Sequence, residues 1–181
     1  LMRRVHLSDD ALMMARQRVI VIAMLAWLPL LLLCAMEGQL WGGTVAVPFL
    51  KDVEVHIRFL VALPILIVAE LVVHRRMRPL IQQFLERNMV PENGLSRFKA
   101  AIDSALRLRN SVSAEVLLIA LVYGLGILII WRQYMALDTA TWYATPSAGG
   151  STLTVAGMWY GYVSLPLFQF LLVLWYFRLF I

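Results

Sequence analysis

Polar residues gather in a few places along this chain and leave four long apolar runs between them. The runs are about Val19 to Met36, Val55 to Val73, Val112 to Trp131 and Leu153 to Tyr176. A helix needs roughly eighteen or more such residues to cross ~30 Å of hydrocarbon at ~1.5 Å per residue. The pattern therefore predicts an all-α polytopic membrane protein with four transmembrane helices, at 19–36, 55–73, 112–131 and 153–176. A β-barrel would instead show alternating strands of about ten residues, and the sequence has none of these.

The segments between the runs have their own patterns. Residues 1–18 form a basic amphipathic lead, in which Ser8 followed by Asp9 and Asp10 reads as a helix start: a side-chain cap, then acids at the positive end of the helix dipole. Residues 37–54 form a short outer loop, with Trp41, Gly42 and Gly43 as an interfacial turn. In 74–111, Leu80, Ile81, Phe84, Leu85 and Met89 recur at helical spacing, and a turn follows at 90–94. Ser96 then caps a second helix with Leu95, Phe98, Ile102 and Leu106 on one side. This predicts an amphipathic helical hairpin that runs straight into the third span. In the second outer loop, 132–152, Asp138 is expected to cap a short helix that lays Trp142 and Tyr143 in the headgroup layer, before a flexible turn at 145–151. Residues 177–181 read as the inner end of a helix that continues past Ile181.

Charge orients the pattern. Thirteen of the sixteen Lys and Arg lie in the lead, the hairpin and the C-terminal end, against Lys51, Arg58 and Arg132 on the other side. The positive-inside rule then places both termini and the hairpin in the cytoplasm. The basic balance, +5, is read as this asymmetry rather than as a nucleic-acid surface. At 61% hydrophobic residues, the chain is well above the roughly half of a soluble domain. The single cysteine, Cys34, allows no intrachain disulfide. Leu33 before it rules out a lipoprotein site, and the first run is longer than the core of a cleaved signal.

Candidate chemistry centres on Glu70 and Glu115, each about one turn inside the inner edge of its span. An ionised carboxylate in hydrocarbon costs on the order of 2.5–3.5 kcal/mol at mid-membrane, and less near an edge. Two readings stay open. Glu70 and Glu115, with His74 one turn from Glu70, form an ion or proton site; or they pair with Arg18, Arg75, Arg109 or His74. Pro29, Pro64 and Pro166 fall near the centres of three spans, and Gly124 and Gly126 in the other. They either surround a midplane cavity or are the irregularities that membrane helices tolerate. Ala120, Gly124, Gly157 and Gly161 form two small-xxx-small pairs suited to close helix packing. Arg75, Arg76, Arg78, Arg97, Lys99, Arg107 and Arg109 are candidate contacts for anionic lipid headgroups or a partner. His6, His56 and His74 are not placed to bind haem or zinc, so no cofactor or metal is expected. No phosphate loop, nucleophile elbow or HExxH is present.

Three segments, HIRFLVALPILIVAELVVHRRMRP, SRFKAAIDSALRLRNSVSAEVLL and YGYVSLPLFQFLLVLWYFRLFI, resemble an uncharacterised group of polytopic bacterial inner-membrane proteins. The resemblance implies a bacterial inner-membrane location and carries over no functional residue. The sequence is read as a non-enzymatic membrane subunit that packs with itself or with other membrane proteins in the lipid bilayer. The alternatives are a channel or secondary transporter using Glu70 and Glu115, and a sensor using the hairpin as its output.

Overall fold

The computed structural model describes residues 2–42, 45–70, 72–73, 94–109, 111–130, 140–147 and 150–180. The described chain is mostly helical. Two of its helices, Arg16–Met36 and Val155–Phe180, are long and apolar enough to cross a membrane. Five helices are used below: α1 (Met2–Met36), α2 (53–70), α3 (Leu95–Arg109), α4 (112–130) and α5 (Val155–Phe180). The first helix expected of the hairpin, within 74–93, lies outside the described residues.

α1 runs unbroken through Ser8, so the expected start there is not used. Strong helix formers (Leu, Met, Ala, Arg) fill its first turns, and nothing in them stops it. Its buried residues, Ala23, Ala26, Leu30 and Cys34, recur every three or four positions and make one face. That face meets Val55, Phe59 and Leu63 of α2 and Ala156 and Tyr160 of α5. The alanines allow close approach, which in a bilayer replaces the hydrophobic effect as the force between helices. α4 lies outside this trio, with its Leu118, Val122 and Gly126 face turned inward.

Two prolines shape α2 and α5 alike. A widened π-type turn at Ile57–Ala62 ends two residues before Pro64, and another at Tyr160–Ser164 ends two residues before Pro166. In each the amide reaches five residues back, Leu63 to the Arg58 carbonyl and Leu165 to that of Tyr160. A proline ring collides with the carbonyl four residues before it and offers no N–H; a wider turn accommodates that collision. The carbonyl four before Pro166 belongs to Tyr162, and the Tyr123 hydroxyl of α4 donates to it at 3.2 Å. Near Pro29, the wholly buried Ser164 hydroxyl donates to the Ala26 carbonyl at 2.7 Å. Neighbouring helices thus supply partners where proline weakens the ladder. At this depth Leu30, Phe59, Leu63 and Ser164 are fully buried, so packed side chains occupy the level at which the cavity reading placed a void.

The links between elements depart from expectation in two places. α3 does not run straight into α4. Ser111 is extended (φ −77°, ψ 121°), and its hydroxyl accepts from the Ala114 amide, so α4 starts afresh with its own cap. In the second outer segment, Asp138 lies outside the described residues, while Trp142 and Tyr143 are not helical and Trp142 is fully buried. The expected headgroup helix is therefore replaced by an inward-packed corner. The expected flexible turn is an antiparallel hairpin, β1 (Ala144–Ser147) and β2 (Gly150–Leu153), in which Thr145 faces Thr152 with their hydroxyls 3.1 Å apart. Paired β-branched residues favour that pleated arrangement.

Candidate functional site

Charges concentrate at the two ends of α2 and α5. At one end, Arg178 sits in the last turn of α5. Its Nη1 donates to a Glu70 carboxylate oxygen of α2, and its Nη2 donates to Glu115 Oε1 of α4 at 3.1 Å. One guanidinium thus ties three helices together. Its planar fork suits two carboxylates better than an ammonium would. Helix dipoles help two of the three charges: Glu115 lies in the first turn of α4 and Arg178 in the last turn of α5. Glu70, near the opposite end of α2, gains nothing from its own helix and depends on Arg178. The side chains are 27% (Arg178), 35% (Glu70) and 40% (Glu115) exposed, so the cluster lies at an edge rather than deep within the bundle. Among the described residues the cluster holds two carboxylates and one guanidinium.

The opposite end mirrors this arrangement with the roles reversed. Arg58 of α2 donates to the Tyr160 hydroxyl of α5 at 2.5 Å and to Glu54 one turn earlier. Its guanidinium carbon lies 5.9 Å from the Phe168 ring centre, close enough for a cation–π contact. α2 and α5 therefore exchange arginines: α2 sends Arg58 at one end, and α5 returns Arg178 at the other.

Around Arg58 the segments that flank α2 and α5 are fixed by further polar anchors. Asp52 caps α2 by accepting from the Val55 amide at 3.3 Å, and its other oxygen accepts from the Trp142 indole at 2.8 Å. Trp142 stacks edge-on against Phe49 and Tyr160, with ring centres 5.1 and 5.2 Å away. Glu37, at the end of α1, accepts from the Val155 and Ala156 amides at 2.8 and 3.4 Å. It caps α5 from another helix, beside Thr154, whose hydroxyl accepts from the Gly157 amide at 2.9 Å. The Trp27 indole donates to Nδ1 of His56 at 3.0 Å, joining α1 to α2.

The residues singled out from sequence fall as follows. Glu70 and Glu115 are brought together, and the cation between them is Arg178, a residue the sequence reading used only to orient the last span. Of the partners expected instead, Arg18 is exposed, His74 and Arg75 lie outside the described residues, and the Arg109 side chain is likewise not described. Arg76 and Arg78 are also outside, while Arg97 and Arg107 are exposed on α3, which also carries Lys99. The small-residue pairs divide. Gly157 and Gly161 are buried, and a Cβ on Gly157 would lie 1.9 Å from the Tyr143 carbonyl oxygen. Ala120 is exposed, and a Cβ on Gly124 would meet nothing within 4 Å. Gly126 accommodates Gln169, whose Oε1 would lie 2.6 Å from an added Cβ.

Sequence reading missed Arg178, Asp52, Glu37 and His56 as anchors. Arg178 left a signal: it is a lone cation in an apolar stretch, Phe177-Arg178-Leu179, at the inner edge where Glu70 and Glu115 also lie. Glu37 left none, because its partners are backbone amides 118 and 119 residues away, and Asp52 left only the local signal of an acid before a helix, since its indole partner lies 90 residues on. Among the described residues no three His, Cys, Asp or Glu side chains gather as a metal site. Chemically, the acids here are hydrogen-bond acceptors for another helix or loop. No family model, curated protein or solved structure matches the chain.

Proposed function

We propose that the chain is a four-span, non-enzymatic integral subunit of a bacterial inner membrane, packed in a homo-oligomer or a larger membrane complex. Both termini and residues 74–111 face the cytoplasm in this reading, as the distribution of Lys and Arg suggests. The observation that carries the proposal is the capture of Glu70 and Glu115 by Arg178. A carboxylate already held by a guanidinium has little to offer a passing cation, which speaks against the channel and transporter alternative. The same contact gives the acids a structural purpose, since it joins α2, α4 and α5. The sensor alternative draws nothing from the described residues.

Assembly is supported by the outer face of α4. Among the described residues Ala120 is exposed and a Cβ on Gly124 would meet nothing within 4 Å, and Val116 and Leu117 are exposed beside them. Exposed Arg97 and Arg107 suit the anionic headgroups of the inner leaflet, at about 1 kcal/mol per basic residue near the surface. Native mass spectrometry from gentle detergent tests the proposal. A defined oligomer or a constant set of co-purifying subunits supports it, and a lone monomer overturns it. Ion flux in liposomes that is lost on Glu70→Gln would establish the transport alternative instead.

A further inference from the structure

His56 is the one histidine whose side chain the structure describes, and its geometry dictates its protonation state. An indole N–H only donates, so the imidazole nitrogen facing it must carry a lone pair. The Trp27 Nε1 to His56 Nδ1 distance of 3.0 Å therefore requires a neutral ring with its proton on Nε2. Phe49 stands edge-on to the imidazole, with centres 5.0 Å apart at 85°, and Trp27 lies 6.0 Å away at 61°. Neither aromatic titrates or carries a lone pair for a protonated imidazole. The charged groups nearest along its helix are already engaged: Asp52 by the Val55 amide and the Trp142 indole, Glu54 and Arg58 by each other. Lys51, on the turn that carries Phe49, is exposed.

We infer that the Trp27–His56 bond is a pH-sensitive latch between the first two spans. Protonation puts a hydrogen on Nδ1, directly opposite the indole hydrogen. The bond is lost and two donors are left facing each other. His56 shares its cluster with Phe49, which stacks on Trp142, so release at His56 loosens the corner that seats the outer loops on α2. The latch is a property of the fold. Its use in a cell rests on the proposed topology, which turns His56 toward the outside compartment. Labelling a Trp41→Cys variant from outside tests that topology separately, so the two ideas fail independently.

The test uses the full chain in nanodiscs, with spin labels at Met36→Cys and Val53→Cys, two exposed positions at the facing ends of α1 and α2. Distances are compared at the ends of the range over which imidazoles titrate, about pH 8 and pH 5. Losing one such hydrogen bond lowers the latched-to-open ratio about fivefold. The short-distance population should fall accordingly on acidification. Trp27→Phe should show the acid distribution at both pH values. His56→Gln, whose amide oxygen accepts but does not titrate, should keep the neutral distribution at both. An unmutated chain that gives one distribution throughout overturns the latch, and so does a His56→Gln variant that still responds to pH. Imidazole 15N shifts in the unmutated chain give a second reading. A bare Nδ1 in the neutral range supports the latch, and a proton on Nδ1 there overturns it.

Discussion

Arg178→Gln should be the most damaging single change in the inner cluster, more damaging than the loss of either acid. The native cluster carries one positive and two negative charges, with Arg178 touching both carboxylates. Glu70→Gln or Glu115→Gln removes an excess negative charge and leaves Arg178 a full partner, so each should cost less than about 1 kcal/mol. Arg178→Gln strands two carboxylates near each other at the edge of the bundle. Breaking a buried pair costs about 3–5 kcal/mol. The exposures of 27–40% here reduce that to roughly 1–3 kcal/mol. For a chain of this length, about 2–4 °C per kcal/mol makes this a fall of about 2–12 °C in thermal midpoint. The assay is thermal unfolding in one detergent, followed by tryptophan fluorescence, for the three single variants and the triple variant. The triple variant should recover most of the loss, because no charge is then left unpaired. The reasoning is refuted if Arg178→Gln is as stable as either Glu→Gln variant, or if the triple variant is as unstable as Arg178→Gln.

Other consequences follow from the same contacts. Gly157→Ala puts a methyl group 1.9 Å from the Tyr143 carbonyl oxygen, against rigid backbone, whereas Gly124→Ala enters open space. The first should reduce the folded yield or the midpoint strongly and the second should leave the monomer's midpoint unchanged or raise it slightly, since alanine suits a helix better than glycine by up to about 1 kcal/mol, as size exclusion and thermal unfolding will report. Trp142→Phe keeps the buried ring but removes the donor to Asp52, at a cost of about 1.5–3 kcal/mol for a bond to a charged acceptor. Asp52→Asn should recover part of that loss in the double variant. Ser164→Ala removes the hydroxyl bonded to the Ala26 carbonyl and should cost about 0.5–1.5 kcal/mol in denaturant titration.

The helical class and the apolar segments were legible because the bilayer demands long unbroken apolar runs, and such runs are visible residue by residue. The prolines were legible as irregularities but not as partners. Nothing local tells that Tyr123 would meet the carbonyl freed by Pro166, or Ser164 the turn near Pro29. Glu70 and Glu115 were recognisable because a carboxylate in an apolar run is costly wherever it falls. Their shared cation was not, because Arg178 follows Glu70 by 108 residues and only packing brings them together. The outer corner was the least legible. Trp142 reads as an interfacial tryptophan by composition alone, yet the Asp52 acceptor and the Phe49 ring let it be buried whole. The short polar stretch 145–151 reads as flexible, since the cross-strand pairing of Thr145 with Thr152 depends on a register that single residues do not announce.

The central claim is that one guanidinium holds two carboxylates from two other helices. Solid-state NMR on the chain in lipid, with 15N in the arginine guanidinium groups and 13C in the glutamate carboxyls, measures this directly. The account predicts carbon–nitrogen dephasing from both Glu70 and Glu115 that vanishes in Arg178→Gln, while the Glu54–Arg58 signal persists as an internal standard. Dephasing from Glu70 and Glu115 that survives Arg178→Gln, or its absence from the unmutated chain, would contradict the account.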